Sequence, residues 1–283
     1  MAVVGLMGCS GSDSGPGEEA VDAKEEAIYY GTSSGVNFGI VEIYRNNNTT
    51  KPCTGYFISR RHIVTSAHCT DNYAQQWYYI RVKTGYNTFT YLKDTTRTDT
   101  WISMRQDKFP GWNPSNPQTG VDTAILTLPA TVQNVPPNSQ LLRVSTAAPL
   151  INQYHNTWGW GAYATTASGP ARPNDLLFGD NVYVTSVSAG RVTATSQGNR
   201  LPCIGDSGAP STRYLSAQRY YVATGTFRGN LENVRCASPG EQLLYSDTSD
   251  KIAWIESIIR LAYGSTYSCS RIGFGSDAHM QCF

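Results

Sequence analysis

Charge is scarce in this chain of 283 residues. Asp, Glu, Lys and Arg make up 15% of it, and 22 basic side chains against 21 acidic ones leave a net charge of +1. A polyanion needs a basic face to hold it, so nucleic-acid binding is excluded as a function. Long apolar runs are missing too. Beyond the first nine residues no stretch approaches the roughly 20 apolar residues that a membrane helix requires. There is no Cys-x-x-Cys or Cys-x-x-x-His spacing to frame a zinc site and no glycine-rich phosphate loop, so neither a metal nor a cofactor is expected. The body also lacks internal repeats and low-complexity tracts.

Neutral polar residues take the place of charge: Thr, Ser, Asn, Gln and 18 Tyr, with 26 Gly and 14 Pro supplying turns. That mixture favours strands and turns over helices. Short runs of strand character lie at residues 39–44, 55–58, 63–66, 78–83, 124–128, 182–187 and 220–227, separated by turn clusters at the spacing of sandwiches and barrels. Residues 129–139, with Pro136 and Pro137, read as the connection between two halves of similar size. One helix is expected, over 248–262, where Ile252, Ile255, Ile258, Ile259 and Ala262 recur at helical spacing behind Asp250.

Seven cysteines form three pairs and an orphan. Cys53 and Cys69 are close, Cys203 and Cys236 moderately close, Cys269 and Cys282 sit in the tail, and Cys9 stands alone. An even set at loop-closing spacings reads as disulfides made in an oxidising compartment, and so as an exported protein. Cys9 ends the string Leu6-Met7-Gly8-Cys9, which resembles a bacterial lipobox, where the cysteine carries lipid and becomes the mature N-terminus. The stretch before it is short and has no Lys or Arg, so a chance free cysteine is the alternative. From Cys9 to Ala27 the chain is Gly/Ser-rich and then acidic, which reads as a tether and pro-segment.

Two strings carry chemistry: Thr65-Ser66-Ala67-His68-Cys69 and Cys203-Ile204-Gly205-Asp206-Ser207-Gly208-Ala209-Pro210. Alone, each is a weak signal, because Gly-Asp-Ser-Gly also makes ordinary turns and most histidines are structural. Together, in this order and each tied to a cysteine, they resemble the histidine and serine motifs of the chymotrypsin-like (trypsin-like) serine protease family, over residues 28–262. Val121-Asp122-Thr123-Ala124-Ile125-Leu126 is similar to the family's aspartate-bearing strand entry, and Gly159-Trp160-Gly161 matches a family landmark. The resemblance implies an all-β fold of two antiparallel six-stranded barrels with a C-terminal helix: a first barrel over about 28–135, a second over about 136–247, and an active site between them. It also implies disulfides Cys53–Cys69 and Cys203–Cys236. Residues 263–283, with Cys269 and Cys282, extend past the family's usual end as a stapled ornament or a contact surface.

The implied roles follow the chemistry of acyl transfer. A serine hydroxyl is a poor nucleophile at neutral pH and needs a base of near-neutral pKa beside it, so the resemblance casts Ser207 as nucleophile and His68 as base. Asp122 would accept the other ring N–H and stabilise the imidazolium. The backbone N–H groups of Gly205 and Ser207 would form the oxyanion hole, a contribution of about 2.7–4 kcal/mol per donor. Cleavage before Ile28 would free an ammonium to pair with Asp206 and activate a zymogen; the alternative is that Ile28 merely starts the first strand.

Specificity is open between two readings. Leu201 stands where the trypsin branch carries an aspartate, and an apolar pocket completed by Thr226 and Phe227 favours small or aliphatic side chains. Arg228 or Arg200 reaching that pocket would favour acidic ones. The expected partners are protein or peptide substrates and protease inhibitors, with a monomer touching a membrane only through a lipid at Cys9. The competing function is a catalytically silent, protease-like binding module.

Overall fold

The computed structural model describes residues 32–33, 39–45, 48–70, 75–85, 88–115, 121–162, 164–166, 169–171, 176–197, 201–230, 236–237, 239–263 and 268–283. Cys9, Ile28 and Arg200 lie outside them. Six strands form the first barrel: β1 (Ile40–Arg45), β2 (Asn48–Ser59), β3 (His62–Thr65), β4 (Gln75–Gly85), β5 (Ile102–Lys108) and β6 (Ala124–Thr127). They pair antiparallel in the order β1-β2-β3-β6-β5-β4, and β1 also pairs with β4, which closes the ring. Alternation makes the barrel: in β5, Ile102, Met104 and Gln106 turn inward while the residues between them are partly exposed. Its interior holds Val41, Phe57, Ile63, Tyr78, Ile80 and Leu126.

The second barrel repeats the plan. After the short β7 (Arg143–Ser145) come β8 (Tyr154–Gly159), β9 (Leu177–Ser188), β10 (Arg191–Ser196), β11 (Pro210–Leu215), β12 (Tyr220–Asn230) and β13 (Gln242–Asp247). Their ring runs β11-β8-β9-β10-β13-β12 and closes through the β11:β12 ladder. Closure removes the exposed edges that an open sheet would offer to other chains. These are the two closed six-stranded barrels that the sequence motifs lead one to expect.

The barrels meet in one apolar cluster. Ile40, Tyr56 and Ile125 of the first pack there with Trp158, Trp160 and Ala223 of the second, and Ile252, Ile255, Ile258 and Ile259 of helix α1 (Ile252–Tyr263) join them. Burying each such side chain is worth about 1.5–3 kcal/mol, so the helix is held on by its isoleucine face and not by helix propensity. A single 3₁₀ turn, Ser249–Lys251, leads into it. Lys251 there is fully buried, and its Nζ donates to the Asp247 carbonyl (2.6 Å) and to Asp250 Oδ1 (2.7 Å). Burial lowers its pKa, while Asp250 opposes that shift.

The tail is part of this body. Strands β14 (Cys269–Ile272) and β15 (His279–Cys282) form a hairpin closed by the Cys269–Cys282 disulfide. β15 pairs with β7, and β7 runs parallel to β12, so the hairpin extends the second barrel's sheet. Met280 and Cys282 reach the inter-barrel cluster, and His279 Nε2 meets the Tyr220 hydroxyl at 2.7 Å. Three-residue β7 has no periodicity to announce it, which is why the sequence leaves this attachment unread.

Candidate active site

Ladder register brings two of the expected residues together. Thr65, the last residue of β3, pairs with Ala124, the first of β6. The antiparallel strands therefore release His68, three residues on, and Asp122, two residues back, at the same end of the barrel. His68 sits in the 3₁₀ turn Ala67–Cys69, which is tied to β2 by the Cys53–Cys69 disulfide and tightened by Thr70 Oγ1 donating to the Ala67 carbonyl at 2.7 Å. Asp122 is fully buried, whereas the His68 side chain is 36% exposed. The His68 Nδ1 lies 2.7 Å from Asp122 Oδ2, and the His68 backbone N–H donates to Oδ1 at 2.9 Å. With the carboxylate accepting at Nδ1, the neutral ring leaves Nε2 as the free base.

Two of the other three histidines, His62 and His155, are poor candidates for that work. His62, at the opposite end of β3, is buried against Ser59, and burial with Arg105 and Arg61 lowers its pKa to about 3. His155, between Ser211 and Thr224, is lowered to about 4 by burial and Arg213. Both are fixed neutral near pH 7. Cys53, His68 and Cys69 converge within metal-ligand distance, but both sulfurs are committed to a disulfide, which leaves no thiolate to bind an ion.

Ser207 lies in the turn that leads into β11, and the first barrel grips that turn. Thr54 N–H donates to the Ser207 carbonyl at 2.8 Å, and Thr54 Oγ1 donates to the Gly205 carbonyl at 2.9 Å. Gly208 is in the left-handed region (φ +88°), and a Cβ there would lie 2.1 Å from the Thr54 carbonyl and 2.2 Å from Thr65 Oγ1. Only glycine permits so close an approach. The amides of Asp206, Gly208 and Ala209 donate to the carbonyls of Cys203, Phe227 and Asp206. Those of Gly205 and Ser207 meet no acceptor among the described residues. This leaves them available to a developing negative charge.

Asp206, next to Ser207, is turned onto backbone amides of the second barrel. It is fully buried, with Oδ1 accepting from Gly161 N–H and Oδ2 from Cys203 N–H, both at 2.8 Å. A Cβ on Gly159 would sit 1.8 Å from Oδ1, and one on Gly161 2.6 Å from it, so both glycines of Gly159-Trp160-Gly161 make room for this carboxylate. The Cys203–Cys236 disulfide braces the same turn from the far side.

Leu201, Thr226 and Phe227, expected around the specificity pocket, are buried. Leu201 and Phe227 pack with Ala209, Ala237 and Tyr245, and Thr226 Oγ1 meets the Tyr56 hydroxyl at 3.0 Å across the barrels. Arg228 turns toward Asp122, with Nε 3.6 Å from Oδ2. The reason is a bulge: Phe227 pairs with Tyr245 and Gly229 with Leu244, so Arg228 is the extra residue and the alternation breaks at it. Thr54, which holds both loop carbonyls, went unnoticed in the sequence because nothing distinguishes it from other strand threonines. A cavity of about 370 Å³ lined by Tyr44, Tyr79, Arg81, Tyr91 and Trp101 opens on the first barrel, apart from these residues.

Comparison with known proteins agrees with this geometry. The family model described as Trypsin matches residues 36–255. Among curated proteins, snake venom serine protease 5 of Trimeresurus stejnegeri is 24% identical over 230 residues, covering 77% of this chain and 80% of its own. The thrombin-like enzyme bhalternin of Bothrops alternatus is 26% identical over 224 residues, covering 73% and 77%. Among solved structures, neuropsin, a serine protease expressed in the limbic system of mouse brain, superposes with a TM-score of 0.60 at 18% identity, over 82% of this chain and 99% of its own. At that identity the superposition speaks for the fold alone.

Proposed function

From the premise that the chain belongs to the trypsin family of serine-type endopeptidases, we propose that it hydrolyses peptide bonds through an acyl-enzyme formed on Ser207. His68 takes the Ser207 proton as the hydroxyl attacks the scissile carbonyl, and Asp122 holds the imidazole and balances its charge. The amides of Gly205 and Ser207 receive the oxyanion. His68 then returns the proton to the leaving amine, and water repeats the sequence to release the acid. The observation that carries this reading is the pairing of a partly exposed His68 with a fully buried Asp122 at 2.7 Å, at the edge where the first barrel grips the Ser207 turn.

Activation by cleavage before Ile28 fits the same reading. Asp206 is a fully buried carboxylate in the turn that bears Ser207, already held by the Gly161 and Cys203 amides. A new ammonium at Ile28 would add an ion pair to those hydrogen bonds and fix the turn. For the P1 side chain we favour small or aliphatic groups, because Leu201, Phe227 and Ala237 form an apolar floor under the Ser207 turn and Arg228 is engaged with Asp122. The three disulfides suit an extracellular protein, and no helix among the described residues is long and apolar enough to cross a membrane. Lipidation of Cys9 would then tether the enzyme to a surface.

The test is to incubate the protein, from Ser10 onward, with a mixed peptide library and read both the cleavage sites and its own N-terminus by mass spectrometry. Cuts after Ala, Val or Leu with Ile28 exposed are expected. Cuts after acidic residues would reverse the pocket assignment. No cuts despite a free Ile28 would favour the silent binding module.

A further inference from the structure

Asp122 Oδ2 faces two nitrogen groups. On one side is His68 Nδ1 at 2.7 Å, and on the other Arg228 Nε at 3.6 Å. The Arg228 side chain is only 10% exposed, and its Nε and Nη1 make no hydrogen bond. A guanidinium used for packing or bridging would be expected to fill its donor sites, because an unfilled buried donor is a net loss. Here the bulge in β12 turns the side chain out of the strand's alternation and onto the one carboxylate of the triad. What Arg228 supplies at that position is charge.

We propose that Arg228 is a positioning residue for the triad, whose fixed positive charge beside Asp122 keeps His68 in its base form to lower pH than Asp122 alone would allow. The inference rests on the triad reading above. Its logic is electrostatic. Asp122 alone attracts a proton onto the imidazole, since a buried carboxylate favours a neighbouring cation. Arg228 offsets that attraction with a cation already in place, so a second positive charge on His68 is held less strongly. Burial lowers the guanidinium's own pKa while Asp122 raises it, and it stays protonated throughout the working range.

The other charged groups around the pair act in the same sense or from a distance. Arg191, at the start of β10, acts electrostatically on Arg228 and adds to the positive field. Arg45 donates from Nη1 to the Thr70 carbonyl, two residues past His68, at 2.9 Å. Lys108 ends β5 opposite Ala124, two residues past Asp122. Asp206, beside Ser207, faces the Gly161 and Cys203 amides on the other side of the turn. Ser246 Oγ donates to the Asp122 carbonyl at 3.1 Å and brings no charge. The balance near His68 is therefore more positive than an Asp–His pair alone provides.

The experiment measures the rate at which a fluorophosphonate labels Ser207, between pH 4.5 and 8.5, in the full chain and in Arg228→Gln and Arg228→Lys. Only the base form of His68 promotes labelling, so the acid limb of the rate reports its protonation. Arg228→Gln should move that limb up by roughly half a unit to one unit, and Arg228→Lys, which keeps the charge, should leave it near the wild-type position. A Gln variant with a lower plateau and an unmoved limb would mean that Arg228 only packs, and would overturn the inference. If the Gln variant fails to fold, Arg228→Met, which also removes the charge, decides: an unmoved limb in that variant contradicts the proposal. A wild-type chain unlabelled at every pH would instead defeat the triad reading, and this inference with it.

Discussion

The two barrels share a strand count and a mode of closure, yet they hold their halves of the site differently. In the first, acid and base are products of the barrel's own ladder: Thr65 pairs with Ala124, and the chain ends on either side deliver His68 to Asp122 within one unit. In the second, the Ser207 turn takes its shape from outside. Thr54 of β2 holds the carbonyls of Gly205 and Ser207, Ser66 Oγ donates to the Phe227 carbonyl at 2.7 Å, and Gly208 lies flush against the Thr54 carbonyl. The His68–Asp122 hydrogen bonds thus lie within one barrel, with Arg228 and Ser246 of the other reaching Asp122, while the Ser207 turn adds a grip across the contact to its own hydrogen bonds. Changes at the Thr54 contact should therefore damage the Ser207 side more than the His68–Asp122 hydrogen bonds.

Gly208→Ala should break that arrangement most severely. Its Cβ would strike the Thr54 carbonyl in a backbone conformation that suits glycine, so the barrels must part locally, at a cost of about 3–5 kcal/mol. Thermal unfolding should fall by about 10 °C, with turnover lost before the chain unfolds. Thr54→Val is gentler and sharper. It keeps the shape but removes the hydroxyl that donates to the Gly205 carbonyl and accepts from Trp160 N–H at 3.1 Å. Losing one such buried partner costs about 1–3 kcal/mol, so kcat should fall roughly tenfold with KM changed less. A Thr54→Val enzyme with full kcat would mean that the Ser207 turn holds its shape unaided.

Legibility in the sequence follows from the same division. Strands such as β4 and β12 announce themselves as short runs of strand-forming residues between turn clusters, and the motifs around His68 and Ser207 are local strings that survive without three-dimensional context. What the sequence conceals depends on partners far along the chain. Arg228 is a candidate for the pocket because the register of residues 224–229 is ambiguous in the sequence, and the bulge that turns it onto Asp122 exists only in the β12:β13 ladder. Leu201 is apolar, as a pocket floor should be, but whether it lines an opening or a core is a matter of packing among Ala209, Phe227 and Tyr245. Thr54 has no local signature at all, since its two contacts are with residues more than a hundred positions away. The tail hairpin was visible as a cysteine pair, and its docking through three-residue β7 was not.

The central claim is that a preformed His68–Asp122 pair in one barrel activates Ser207 on the other. The most direct measurement is the rate and site of fluorophosphonate labelling in the wild type and in Asp122→Asn, with the modified peptide identified by mass spectrometry. The expected result is a single adduct on Ser207, formed at least 10³-fold more slowly in Asp122→Asn, in keeping with the roughly 10⁴-fold loss in kcat that follows when this aspartate is neutralised in such a triad. Equal rates in the two proteins, or an adduct on any residue other than Ser207, would contradict it.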